Sequence, residues 1–120
     1  MNINIKSTNI ILTPAIKDYV EKKVLSLEKF IHDDTKNVRV EIEVGKISNH
    51  HKSGDIFRAE AHLFFKGNEI YVVAEKDDLY SSIDEMRMKA ERECISLKDK
   101  KFSLLKRGSA RIKKMIHRWR

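Results

Sequence analysis

The sequence predicts an α+β domain of order β-α-β-β-β-α, a four-stranded sheet with two helices packed on one of its faces. Three observations carry this. Four stretches alternate apolar and polar residues, so each strand buries one face and leaves the other in water. Two longer stretches space their apolar residues three or four apart, the mark of a helix lying on a core. The first helix falls between two strands that can pair in parallel, whereas the later strands form a meander closed by the last helix. With one apolar face per strand, both helices must cover the same side of the sheet.

The elements follow in order. Asn2 to Ser7 alternates, with Ile3 and Ile5 on one side, as a short strand. Thr13-Pro14 opens a helix, because threonine is a good N-cap and proline at the first helical position gives up no needed hydrogen bond. Tyr19, Val20, Val24, Leu27, Phe30 and Ile31 then continue one broad arc begun at Ile16. Lys23 lies near the middle of that arc, and two readings stand: a lysine snorkelling along its own stem, or a cation wanted at the border of a groove. After a polar break, Val38, Val40, Ile42 and Val44 alternate with Arg39, Glu41 and Glu43 as a second strand. Ile47 to Gly54 is loop chemistry. Phe57, Ala59, Ala61, Leu63 and Phe65 form the inward face of a third strand. Gly67-Asn68 reads as a hairpin turn, and Glu69 to Glu75 as a fourth strand with Ile70, Val72 and Ala74 inward.

Asp77-Asp78 caps a long helix and complements its dipole. At about 100° per residue, its buried stripe is Leu79, Ile83, Met86, Ala90, Cys94, Leu97 and Leu104. Beside it runs a polar, mostly cationic line of Lys89, Arg92, Ser96 and Lys100. Lys106-Arg107-Gly108-Ser109 interrupts the helix and separates a body, residues 1–105, from a basic C-terminal tail, residues 106–120.

Composition narrows the function classes. A chain of 120 residues suits one domain, and 36% charged residues exceed the usual quarter. No run of about 18 apolar residues exists to span a membrane. The start, Met-Asn-Ile-Asn-Ile-Lys, lacks the regions of a signal peptide, and one cysteine builds no disulfide framework, so the expected location is cytoplasmic. The net charge of +7 is unevenly placed. Residues 106–120 hold seven cations and no acid, leaving 18 basic residues against 18 acidic ones in the body. A neutral body binds a polyanion only if its charges are sorted onto faces. The tail also sets Ile112, Met115, Ile116 and Trp119 at helical spacing and reads as a segment that orders on a polyanionic partner.

Enzyme signatures are absent. There is no glycine-rich phosphate loop, no metal-type histidine pair at i, i+4 and no Cys-x-x-Cys. His50-His51 in a polar loop reads as solvated, so no metal is expected; Cys94 sits on the apolar stripe, as a small core residue does. The cations are more informative. Lys22 and Lys29 project to one side of the first helix's arc, with Lys23 at its edge, and Lys89, Arg92 and Lys100 do likewise on the last helix. The two lines are expected to share an outer surface, with Asp84 and Glu91 on the far side. This pattern and the tail favour nucleic-acid binding over a merely solvated face, and few free aromatics favour phosphate and ribose recognition of folded RNA over base stacking.

The segment Ile11-Leu12-Thr13-Pro14-Ala15-Ile16-Lys17-Asp18-Tyr19-Val20, then Leu27-Glu28-Lys29-Phe30, and above all Asp78-Leu79-Tyr80-Ser81-Ser82-Ile83-Asp84 followed by Lys89 and Glu91-Arg92, resembles the ribosome hibernation-promoting factors, protein Y among them. The likeness runs to about residue 101. It implies a fold similar to double-stranded-RNA-binding domains and docking in the small-subunit channel used by messenger and transfer RNAs. It also implies a cytoplasmic, non-enzymatic translation inhibitor that preserves inactive ribosomes under stress, with no cofactor or small-molecule substrate. The partner implied is the small ribosomal subunit and its ribosomal RNA, within the whole ribosome, met by a chain that is a monomer when free. The family's RNA-facing cations fall on Lys23, Lys89, Arg92, Lys98 and Lys100. Ser26 and Ser96 stand where relatives often carry lysine, and the tail cations, Arg107, Arg111, Lys113 and Lys114 among them, are expected to compensate. Long members carry a second domain for which this chain has no room, so a short form is expected. The alternative is a protein-binding regulator of an alternative sigma factor, using Ile112, Met115 and Trp119.

Overall fold

The computed structural model of the chain describes residues 1–31, 35–47 and 54–106, with side chains excepted at residue 35 and from residue 98 onward. Its elements are β1 (Asn2–Thr8), α1 (Pro14–Leu25), two single 3-10 turns (Glu28–Phe30 and Thr35–Asn37), β2 (Arg39–Ile47), β3 (Ile56–Phe65), β4 (Asn68–Lys76) and α2 (Leu79–Lys106). The order β-α-β-β-β-α is the one the sequence predicts. The four strands lie in the order β1-β2-β3-β4. β1 runs parallel to β2, and the other two pairs are antiparallel.

The core lies between the sheet and the helical layer. Val40, Ile42 and Val44 of β2, Ala59, Ala61 and Leu63 of β3, and Ile70, Val72 and Ala74 of β4 are all buried. They meet Val20 and Val24 of α1 and Ile83, Met86, Ala90 and Cys94 of α2 in one cluster. α2 lies mainly over β3 and β4, where Ala59, Ala61 and Ala74 keep the sheet surface low enough for a helix to sit on it. The helix starts at a built cap: the Asp78 carboxylate accepts from the Ser81 amide and hydroxyl, each at 2.9 Å.

Three local expectations are corrected. The apolar arc of the first helix suggested one element reaching Ile31, but α1 stops at Leu25. There the Ser26 hydroxyl donates to the Lys23 carbonyl at 2.5 Å, and the Leu27 amide bonds to Val24, three residues back, at 3.0 Å. A side chain that competes for helix carbonyls tightens the last turn, and the chain leaves through a 3-10 turn. The β3–β4 hairpin turns on Lys66 and Gly67, both at positive φ (49° and 71°), while Asn68 already pairs with Phe65. Two successive positive φ values match the twist of the flanking strands. β2 also runs on to Ile47, so the loop begins later than its composition suggested. Among the described residues, no helix is long and apolar enough to cross a membrane.

Candidate nucleic-acid interface

α1 and α2 lie side by side, and the seam between them is the most heavily bonded part of the helical layer. Tyr19, Lys23 and Ser26 are spaced to lie on one flank of α1, while Tyr80, Asp84, Arg87 and Glu91 recur at the same spacing on α2. Asp84 joins the two lines. Its Oδ1 accepts the Tyr19 hydroxyl at 2.5 Å and lies 3.3 Å from the Lys23 ammonium. Tyr19 and Tyr80 meet edge to face at 4.8 Å, with Lys23 Nζ 5.4 Å from the Tyr19 ring centre. The hydrogen bond to Asp84, then desolvation, push the Tyr19 phenol up to about 12.

One turn further along, Arg87 Nε donates to the Ser26 hydroxyl at 3.0 Å, and its Nη1 donates to Glu91 at 2.5 Å. The Phe30 ring lies 5.7 Å from the Arg87 guanidinium and 5.2 Å from Lys29 Nζ, so two cations meet one aromatic ring. Arg87 is a seam cation that the charge pattern did not single out. Its signal was present: it is three residues after Asp84 and four before Glu91, on the line that flanks the apolar stripe.

The predicted cations fall into distinct places. Lys22 is exposed on α1, and Lys29 is exposed but stands on the 3-10 turn rather than on the helix. Lys23 is half-buried at the seam, its ammonium 3.3 Å from the Asp84 carboxylate. Lys89 lies on the opposite flank of α2, where its ammonium donates to the Val73 carbonyl of β4 at 2.8 Å. Arg92 is exposed, its guanidinium 3.8 Å from the Met88 sulfur. Lys98 and Lys100 belong to α2, but their side chains lie outside the described residues, as do Arg107, Arg111, Lys113 and Lys114 altogether. The expected segregation of acids is corrected: Asp84 and Glu91 sit in the seam beside Lys23 and Arg87, not on a far side.

Chemically, this surface offers ammonium and guanidinium donors beside flat rings. Cys94 is a core thiol, pushed up to about 11 by burial, with Glu93 and Glu91 adding to the shift. No group of metal-ligating residues occurs among the described residues.

Fold and site together define a binding domain, a two-layer α+β unit whose helical layer presents fixed and exposed cations. The chain belongs to the family described as Sigma 54 modulation protein / S30EA ribosomal protein, whose model matches residues 3–101. It is 34% identical over 100 residues to the ribosome hibernation promoting factor of Klebsiella oxytoca, covering 83% of this chain and 96% of that protein. It is 32% identical over 111 residues to that of Pseudomonas putida, covering 92% and 100%. The N-terminal domain of protein Y from Thermus thermophilus superposes with a TM-score of 0.67 at 27% identity, covering 78% of this chain and 96% of that one.

Proposed function

We propose that this protein is a ribosome hibernation factor: a non-enzymatic, cytoplasmic protein that acts as a monomer, enters the decoding channel of the small subunit and excludes messenger and transfer RNA. The single observation that carries the reading is the match to hibernation promoting factors across nearly the whole described fold, helical layer included. The names of those relatives favour a ribosomal role over regulation of an alternative sigma factor. Lys22, Lys29 and Arg92 are exposed and reach phosphate first. Lys23, Arg87 and Lys89 lie behind them, already oriented by partners within the fold. Lys98, Lys100 and the tail cations add positive charge to the C-terminal part of the chain.

Co-sedimentation with ribosomes tests this. The expected outcome is that Lys22→Glu with Arg92→Glu, both exposed sites, abolishes binding while the circular dichroism spectrum is retained. For about six phosphates contacted, log affinity falls with log salt at a slope of roughly −4 to −5. Unchanged binding by the double variant, or a flat salt response, refutes the proposed face.

A further inference from the structure

The sheet face turned away from the helices carries a charge pattern of its own. The register places Glu43 of β2 directly opposite Glu60 of β3, and Glu41 opposite His62, which is in turn opposite Tyr71 of β4. Like charges directly opposite each other on a sheet are destabilising. Arg58 relieves part of this, binding Glu60 at 2.6 Å, but Glu41, Glu43 and Glu75 form no ion pair among the described residues. Arg39 is engaged with the Phe64 ring at 4.3 Å, and His62 pairs with Glu69. Five glutamates therefore face outward against Lys6, Arg39 and Arg58. Such a face repels phosphate and attracts a basic polypeptide.

Its shape supports the same occupant. A cavity of about 260 Å³ opens beside Glu43, Gly45 and Arg58, and one of about 150 Å³ lies between Glu41, His62 and Tyr71. Tyr71 is 55% exposed, an aromatic surface for an aliphatic stem or a second ring.

The chain itself contains a segment of the complementary kind. Residues 106–120 hold seven cations, no acid and the sole tryptophan, Trp119. The segment also starts in the right place. The Lys76–Glu85 and Val73–Lys89 contacts show that α2 runs antiparallel to β4. From Lys89 the helix continues to Lys106, about 25 Å, whereas β4 needs only about 17 Å to reach its own start at Asn68. The helix therefore ends past the β3–β4 turn, at the end of the sheet nearest Tyr71. Extended, the tail spans about 50 Å, and the Glu43–Glu60 pair lies roughly 20 Å from that turn along the strands.

We infer that the acidic, aromatic outer face of the sheet is a docking site for this chain's own basic tail, residues 106–120. Tethering supplies an effective concentration of the order of millimolar, so weak ion pairing suffices to hold the tail there. The docking goes beyond the ribosomal reading and does not depend on it. If both hold, ribosomal RNA and the sheet compete for the same cations.

Trp119 reports directly on this in the full chain without ribosomes. Acrylamide quenching, excited at the tryptophan edge, is measured for wild type, for Glu41→Gln with Glu43→Gln, and for wild type in 1 M salt, where the screening length falls to about 3 Å. Protection of Trp119 in wild type, lost both in the variant and in high salt and independent of protein concentration, is the expected result. A Trp119 equally quenched under all conditions overturns the inference. So does protection that survives high salt, or protection that rises with protein concentration, which assigns the site to a second copy. Salt on the wild-type chain keeps the test decisive should the variant fail to fold.

Discussion

Tyr19→Phe removes one oxygen from the interhelical seam and leaves everything else in place, including the edge contact with Tyr80. The lost bond joins a phenol to a carboxylate at 2.5 Å and ties α1 to α2 across 65 residues of chain. Hydrogen bonds to charged groups contribute about 1.5–3 kcal/mol. The Asp84 side chain is 49% exposed, which screens the charge and brings the expected loss below that range, to about 1 kcal/mol. For a domain of this size that is a fall in Tm of about 4 °C. The pH dependence is the stricter test. The folded phenol is held up to about 12 against its ordinary 10, so the neutral form is favoured by folding. That contribution is fully present below pH 10 and is lost as pH rises through 12. Urea denaturation at pH 7, 9 and 11 of wild type, Tyr19→Phe, Asp84→Ala and the double variant should give a coupling of about 1 kcal/mol at pH 7 that shrinks at pH 11. Zero coupling at pH 7, with Tyr19→Phe and wild type losing stability in parallel above pH 10, would refute the seam as drawn.

Gly45→Ala should weaken the pairing of β1 with β2, because a Cβ there would meet the Thr8 carbonyl oxygen at 2.7 Å; a loss of about 1–3 kcal/mol by urea denaturation is expected. Cys94 should resist iodoacetamide at pH 8 in the native protein and react once urea unfolds it, since burial keeps its thiol protonated. Asp84→Asn should lower stability yet strengthen ribosome binding, because Lys23 loses the anion that neutralises it; the salt slope should steepen by up to about one. Lys89→Glu should cost both stability and binding, unlike Arg92→Glu, because it places a carboxylate where an ammonium met the Val73 carbonyl; thermal melts separate the two variants.

The strands and the long helix were legible because burial imposes a period. β2, β3 and β4 each alternate cleanly, and Ile83, Met86, Ala90 and Cys94 recur at helical spacing, so faces follow from sequence alone. The misplaced hairpin turn did no harm to those faces. Moving a two-residue turn by one position shifts the pairing by two residues, which leaves every side chain on its original side. The end of α1 was hidden for a different reason. Leu27 and Ile31 keep the apolar spacing of a helix and are buried, so the pattern continues although the Ser26 hydroxyl has already diverted the carbonyls.

The charges were harder to read, and the cause is geometric. A helical wheel sorts side chains by flank but does not say which flank faces the neighbouring helix and which the sheet edge. Lys89 and Lys23 were both read from the sequence as cations for a polyanion, yet one bonds a strand carbonyl and the other a seam carboxylate. Both therefore contribute to the fold before they meet any partner. Cations of this kind lose little further side-chain entropy on binding phosphate, since their rotamers are already restricted. The exposed ones, Lys22, Lys29 and Arg92, are held by no charged partner among the described residues, only by weak contacts of Lys29 with the Phe30 ring and of Arg92 with the Met88 sulfur, and under the proposed ribosomal role they supply the long-range attraction. A surface with both kinds can attract a polyanion broadly and then hold it in one orientation. The Tyr19–Asp84–Lys23 cluster matters for that second step, because it sets the spacing of the two helices on which the exposed cations stand.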